Sequence, residues 1–188
     1  MIKKLFLPAV LLASMLLFLG ITHLLPPPIS VEAGPPLVES ATVIEVQKSA
    51  SSCSLSANYP ESILQWCPQI EKWAAYYGIE AKLIAALILQ ESGGQAEIIS
   101  GSGAVGLMQV MPSDGIASTF TCINGPCFAD RPSTSELMVA DYNIEVGTKL
   151  LSGLVSKFGN TRDALFAYGP MGIGYSYADT ILAIYNTY

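Results

Sequence analysis

Hydrophobic residues recur at spacings of three and four over much of the chain, which is the period of an amphipathic α-helix. The first such stripe comprises Ile63, Trp66, Ile70, Trp73 and Tyr77. Pro68 falls inside it and predicts either a kink or a fresh helix start at that point. Gly78 predicts its end, because glycine accepts the left-handed conformation that commonly closes a helix.

A second helix is predicted over residues 81–89, which are apolar almost throughout, so we expect this helix to be buried on nearly every side. It runs into Glu91 and the pair Gly93 and Gly94. Residues 101–112 are rich in glycine and then apolar, which predicts a loop that leads into a short helix.

The C-terminal half carries three further helical patterns, over residues 134–158, 161–168 and 177–188. The apolar side of the first comprises Leu137, Ile144, Leu150, Leu151, Leu154 and Phe158. Asn160 or Thr161 is placed to cap the second. Residues 121–132 resemble a loop in composition, and strand signals are scarce. The sequence therefore predicts an all-α domain with long loops over residues 59–188.

The first 58 residues have a different composition. Lys3 and Lys4 precede residues 5–25, which carry no acidic or basic side chain except His23. This hydrophobic helix is predicted to be either a cleaved signal peptide or a membrane anchor, and both place the remainder outside the cytoplasm. Residues 26–58 are rich in proline and serine and predict a linker.

The charge balance narrows the classes of partner. The chain has nine basic and fifteen acidic side chains, which give a formal net charge of −6. An acidic surface argues against nucleic acid, and it offers no long-range attraction to an anionic polymer. His23 is the only histidine, so a catalytic site of the Ser-His-Asp type is excluded from the folded domain. We expect no metal, no cofactor and a monomer.

The four cysteines form an even set, as in many exported proteins, and permit three pairings. Cys122 and Cys127 flank a turn-like tetrad and could close a small loop, which would leave Cys53 to pair with Cys67. A metal site is the alternative, but no histidine lies nearby and neither spacing is typical of a zinc ligand pair.

Glu91 is the candidate catalytic residue. It follows an apolar run, and it is the only acidic side chain between Glu80 and Glu97. Apolar surroundings and the negative end of a helix both raise the pKa of a carboxyl group. A carboxyl that is protonated near neutral pH is what a glycosidic leaving oxygen needs from a general acid. The alternative is an ordinary solvated glutamate at a helix end.

Two segments together resemble soluble lytic transglycosylase (SLT) domains of the goose-type lysozyme-like superfamily. They are Glu91-Ser92-Gly93-Gly94 and, further along, Gly106-Leu107-Met108-Gln109-Val110-Met111-Pro112. Weaker similarities follow at Asn143-Ile144 with Gly147, at residues 164–168 and at residues 177–182. The resemblance covers roughly residues 60–188 and implies a lysozyme-like helical fold.

The resemblance also implies an activity on the glycan strands of peptidoglycan. Members of this family cleave the β-1,4 bond between N-acetylmuramic acid and N-acetylglucosamine. One glutamate, matched here by Glu91, protonates the leaving oxygen and then accepts a proton from the muramoyl C6 hydroxyl. That hydroxyl closes on C1 and leaves a 1,6-anhydro end, so the second carboxylate of ordinary glycosidases is dispensable. Asp114 is the nearest alternative second carboxylate.

By the same resemblance, the substrate-binding residues are Ser92, Met108, Gln109, Tyr168 and Tyr177. Tyr175 is a rival to Tyr177, because the correspondence there is loose. The family asparagine that follows Tyr168 is replaced by Gly169, which puts substrate positioning in doubt. Two alternatives therefore stay open: a goose-type lysozyme-like hydrolase, and a wall-binding module with impaired catalysis.

Overall fold

The computed structural model describes residues 53–188. The predicted signal peptide or anchor over residues 1–25, with His23, and the linker up to residue 52 lie outside this part. Within the described part, no helix combines the length and the apolar character that crossing a membrane requires.

Helices make up nearly all of the regular structure in this part, and the all-α prediction is confirmed. Seven α-helices are present: α1 (Glu61–Leu64), α2 (Cys67–Tyr77), α3 (Ala81–Ser92), α4 (Thr134–Leu137), α5 (Ala140–Phe158), α6 (Thr161–Tyr168) and α7 (Ser176–Thr187). A 3-10 helix (Gly115–Thr119) precedes a two-stranded antiparallel hairpin, β1 (Thr121–Cys122) and β2 (Gly125–Pro126).

The first hydrophobic stripe is divided between two helices, so the fresh start predicted at Pro68 is confirmed. Pro68 lies in the first turn of α2, where its missing N–H costs no helical hydrogen bond. The helix ends at Gly78, whose φ of 67° is left-handed. Ile63 and Ile70 are fully buried, so the stripe supplies one wall of the core.

Helix α3 is the centre of the fold. Its residues 83–88 are all buried, as the sequence predicts for a helix without a polar face. It packs against α1, α2 and α7, while α5 packs against α2 and α6. The last turn of α3 therefore lies beside α7, and this neighbourhood contains Glu91.

The short helix predicted within residues 101–112 is wrong. This segment contains turns and two isolated bridges, in which Val105 pairs with both Ile99 and Val110. The Asn143 side chain supplies the reason, because its Oδ1 accepts from Met108 N at 2.8 Å and its Nδ2 donates to Val105 O at 2.8 Å. A distant amide thus takes the place of helical hydrogen bonds.

The single helix predicted over residues 134–158 is also wrong, because the structure has α4 and α5 there. Ser133 and Glu136 form a capping box that fixes the first turn of α4. Val139 then adopts an extended conformation, with φ −78° and ψ 111°, before α5 begins. The predicted cap at Asn160 is confirmed, since its side chain accepts from Asp163 N at 2.9 Å.

Both predicted disulfides are present. Cys122–Cys127 closes the β1–β2 hairpin within the predicted loop, and Cys53–Cys67 ties the first described residue to α2. Leu55 is buried in the core, so the packed structure also includes residues that precede Tyr59.

Candidate active site

Glu91 lies in the last turn of α3, and its side chain is partly buried. Burial raises the pKa of the Glu91 carboxyl from 4.5 to about 7, and a hydrogen bond from Tyr177 acts in the opposite direction. The helix ends immediately beyond, where Gly93 has a φ of 62°. The pKa of this carboxyl therefore lies in the neutral range, well above that of an ordinary glutamate.

Tyr177 comes from the first turn of α7, and its hydroxyl donates a hydrogen bond to Glu91 Oε1. Burial, followed by the nearby charge of Glu91, raises the pKa of Tyr177, so the phenol keeps its proton. The rival Tyr175 is more exposed, and its hydroxyl donates to Asp163 Oδ1 at 2.7 Å. Of these two tyrosines, the structure brings Tyr177 to the carboxyl.

Tyr168, at the end of α6, is half-buried and donates its hydroxyl proton to Met108 O at 2.8 Å. Burial raises the pKa of Tyr168, and the charge of Glu91 raises it further. This phenol is thus close enough to Glu91 to respond to its ionisation. It also fixes the backbone just before Gln109.

Gln109 follows in a conformation that is rare for residues other than glycine, with a φ of 45°. Its Nε2 donates to Gly106 O at 2.9 Å and to Ile98 O at 3.4 Å. The side chain is partly exposed, and its Oε1 accepts no hydrogen bond from the described residues. The amide oxygen is therefore the group that Gln109 can offer to a ligand.

Ser92 and Met108 occupy interior positions rather than an accessible surface. The Ser92 hydroxyl donates to Leu107 O at 2.9 Å and accepts from Gly94 N at 3.1 Å. Met108 has no exposed surface, and the side chain packs against Gly147. Both residues hold the segment after α3 in place.

Asn143 is a buried polar residue whose role sequence reasoning missed. Besides its bonds to Met108 and Val105, its Nδ2 donates to Leu137 O at 2.9 Å. It thereby links α4, α5 and the segment that carries Gln109. A polar side chain among the apolar residues of the α5 stripe was the available signal, because buried amides are normally fully hydrogen-bonded.

Packing requires a glycine at position 94, in the turn that ends α3. Gly94 has a φ of 89°, and a Cβ there would collide with the Ser62 backbone. Trp66 Nε1 donates to Gly94 O at 2.9 Å. The turn that ends α3 is therefore held against the helices before it, which fixes the position of Glu91.

The carboxylate of Asp114, the alternative second carboxyl, is hydrogen-bonded at the start of α4. Its Oδ1 accepts from Thr134 N at 2.9 Å and from Thr134 Oγ1 at 2.6 Å. These bonds lower the pKa of Asp114, which acts as a fixed anion at the start of α4. Another acidic residue, Glu71, lies near Cys53 and Cys67, but the disulfide commits those sulfurs and leaves no thiolate for a metal.

Comparison with known proteins identifies the family of this part of the chain. The family model described as transglycosylase SLT domain matches residues 68–172, more than half of the chain. The endo-type membrane-bound lytic murein transglycosylase A of Klebsiella pneumoniae is 40% identical over 89 residues, which are 47% of this chain and 42% of that protein. Its counterpart in Citrobacter koseri has the same identity and coverage. The chain thus spans less than half the length of these relatives.

Solved structures of the same kind align over a similar region. An inactive mutant of the lytic transglycosylase Slt from Pseudomonas aeruginosa aligns with a TM-score of 0.49 and 24% identity, over 63% of this chain and 23% of that one. The 70 kDa soluble lytic transglycosylase of Escherichia coli gives 0.46 and 27%, over 68% and 19%. On the match of its family model, which includes Glu91 and the segment through Gln109, the chain belongs to the transglycosylase SLT domain family.

Proposed function

We propose that this chain cleaves the β-1,4 bond between N-acetylmuramic acid and N-acetylglucosamine in peptidoglycan, and leaves a 1,6-anhydro end. The observation that carries the proposal is the state of Glu91. Its carboxyl is partly buried, has a pKa of about 7 and receives a hydrogen bond from Tyr177. One group with that pKa can donate a proton and accept one at the same pH.

The reaction uses Glu91 twice. In the first step its proton passes to the glycosidic oxygen as the bond to C1 breaks. The resulting carboxylate then takes the proton of the muramoyl C6 hydroxyl, whose oxygen closes on C1. Glu91 is protonated again at the end, and no water is consumed.

The surroundings of Glu91 support an internal nucleophile. Retaining and inverting glycosidases place a second carboxyl group across the scissile bond. Asp114, the alternative that the sequence offered, is committed to Thr134. A hydroxyl of the substrate itself needs no such partner, because it is already held beside C1.

Three side chains are proposed to contact the glycan or the reacting group. Tyr177 holds the Glu91 carboxyl in one orientation through its hydrogen bond. Tyr168 presents its phenol oxygen near the same carboxyl, and Gln109 presents its amide oxygen in the segment that Tyr168 holds. Ser92 and Met108 act from the interior by fixing the backbone.

We further propose that the protein works as a monomer outside the cytoplasm, in the cell envelope. The named relatives are membrane-bound enzymes that act on murein, and their names describe them as endo-type. Two disulfides in the described part suit an oxidising compartment. Cleavage within strands, rather than from their ends, is the mode that these relatives support.

Mass spectrometry of the muropeptides released from purified sacculi tests the reaction. Wild-type protein is expected to release 1,6-anhydro products, and Glu91→Gln to release none while it keeps the fold. Reducing ends from the wild type would instead identify a hydrolase of the goose-type lysozyme kind. Equal, negligible release by both proteins would identify a wall-binding module and overturn the proposal.

A further inference from the structure

Gly169 follows the last residue of α6, directly after Tyr168, and faces the ring of Tyr177. A Cβ placed on Gly169 would lie 2.7 Å from Tyr177 Cε1 and 2.7 Å from Tyr177 Cγ, with Cδ1 closer still. Real Cβ atoms do not approach other heavy atoms so closely. Its φ of −71° and ψ of 178° are open to any residue, so the requirement for glycine here is steric rather than conformational.

The ring cannot simply withdraw from an added methyl group. Tyr177 lies in the first turn of α7, and Ile181, one turn further along the same side of the helix, is fully buried, as is the adjacent Ala178. A packed core resists the displacement of a whole helix, so the side chain has to rotate instead. Rotation of the ring would carry its hydroxyl away from Glu91 Oε1.

We propose that Gly169 is a positioning residue, whose missing side chain makes the space in which the Tyr177 ring lies and so sets its hydroxyl on Glu91. This inference rests on the proposed function only in giving Glu91 its role as the acid. The departure from the family asparagine is then part of the construction of this site. An asparagine restored at this position would displace Tyr177 and lower activity.

The pKa of the Glu91 carboxyl depends on whether the Tyr177 hydroxyl is in place. The hydrogen bond from Tyr177 favours the ionised carboxyl and holds the pKa of Glu91 below the value that burial alone would give. A hydrogen bond to a charged group corresponds to a change of about one pH unit in the titration midpoint. Loss of the bond is therefore expected to move the midpoint upward by about that amount.

The test is an NMR titration of the Glu91 carboxyl in the full chain, with the signal assigned by Glu91→Gln. Gly169→Ala and Tyr177→Phe should both move the midpoint upward by about one pH unit. Gly153→Ala is the matched control, because Gly153 lies in α5 and a Cβ there would meet no atom within 4 Å. A wild-type midpoint in Gly169→Ala overturns the inference.

A stability cycle tests the steric step separately. Gly169→Ala is expected to lower the melting temperature in the wild-type background and to have no such effect in Tyr177→Ala, where the ring is absent. An equal loss in both backgrounds overturns the inference. Neither measurement requires turnover. A protein that releases no muropeptides would therefore refute the proposed function, while the titration and the stability cycle would still decide this inference.

Discussion

The hydroxyl of Tyr177 donates its proton to Glu91 Oε1 and so joins two residues that are 86 positions apart in the chain. The bond connects the first turn of α7 with the last turn of α3, which pack against each other along the core. It opposes the effect of burial on the Glu91 carboxyl and leaves its pKa at about 7.

The first prediction concerns the pH dependence of cleavage. Because only the protonated carboxyl can donate, kcat/KM is expected to fall as the pH rises through about 7, the pKa of Glu91. Tyr177→Phe removes a bond that lowers this pKa, so the falling limb should move to higher pH by about one unit. Initial rates of sacculus clearing between pH 5 and pH 9 measure the falling limb for the wild type and for Tyr177→Phe.

Tyr175→Phe is the control for this measurement. It removes a hydroxyl of the neighbouring tyrosine, which is bonded to Asp163 rather than to Glu91. The falling limb of the pH profile of Tyr175→Phe should coincide with that of the wild type. A shift in Tyr175→Phe equal to that in Tyr177→Phe would contradict the assignment of Tyr177.

A second prediction is that Glu91→Gln stabilises the protein above neutral pH. The pKa of Glu91 is 4.5 in the unfolded chain and about 7 in the folded one, so the folded state binds more protons between these values. Stability is then greatest at low pH and falls as the pH rises from about 4.5 to 7. Removal of the charge should restore up to about 3 kcal/mol at pH 8.

Thermal unfolding at pH 5 and at pH 8 measures the effect. The gain in melting temperature for Glu91→Gln over wild type should be small at the lower pH and larger at the higher one. Gln90→Ala changes an exposed neighbour in the same helix turn and should show no such pH dependence. A constant difference across this range would refute a raised pKa in the folded protein.

Much of this site could be predicted from local sequence, because its central residue sits on a regular helix. The apolar run before Glu91 predicted both the burial of α3 and a raised pKa, and each is present in the structure. The helix end at Gly78 followed from the left-handed conformation that glycine tolerates. These are features set within a few residues of chain.

The errors arose where distant residues decide the structure. The helix expected before Pro112 is replaced by a bridged loop, because Asn143 satisfies its backbone from 35 positions away. The Met108 side chain lies in the core, because the missing side chain of Gly147 opens a space for it there. No periodicity in the sequence encodes either contact, since both depend on how α5 packs beside this loop.

The third prediction concerns that space. A Cβ at Gly147 would lie 2.5 Å from Met108 Sδ and 2.6 Å from Met108 Cβ. Gly147→Ala should therefore destabilise the protein by about 1–3 kcal/mol through overpacking. Gly153→Ala, in the same helix but in open space, should instead be neutral or stabilise by up to about 1 kcal/mol. Urea denaturation of both variants would compare them, and equal effects would contradict the packing argument.

The fourth prediction separates the two disulfides. Cys53–Cys67 closes a loop with a sequence separation of 14 and includes the buried Cys67, so its loss should cost about 3 kcal/mol. Cys122–Cys127 closes a separation of 5 in an exposed hairpin, which can open without disturbing the core. Paired substitutions to serine, followed by denaturation with and without reductant, measure each bridge. A larger loss from the Cys122/Cys127 pair would refute this ordering.

The hydrogen bonds made by the side chains of Tyr168, Tyr177 and Gln109 determine what kind of ligand these side chains could bind. The hydroxyl protons of Tyr168 and Tyr177 are directed to Met108 O and Glu91 Oε1, and both amide protons of Gln109 face backbone carbonyls. These side chains can therefore offer a bound molecule only the lone pairs of their oxygen atoms, as hydrogen-bond acceptors. Acceptors of this kind suit a ligand that supplies N–H and O–H donors. Among these groups, the Glu91 carboxyl is then the one that has a proton to transfer.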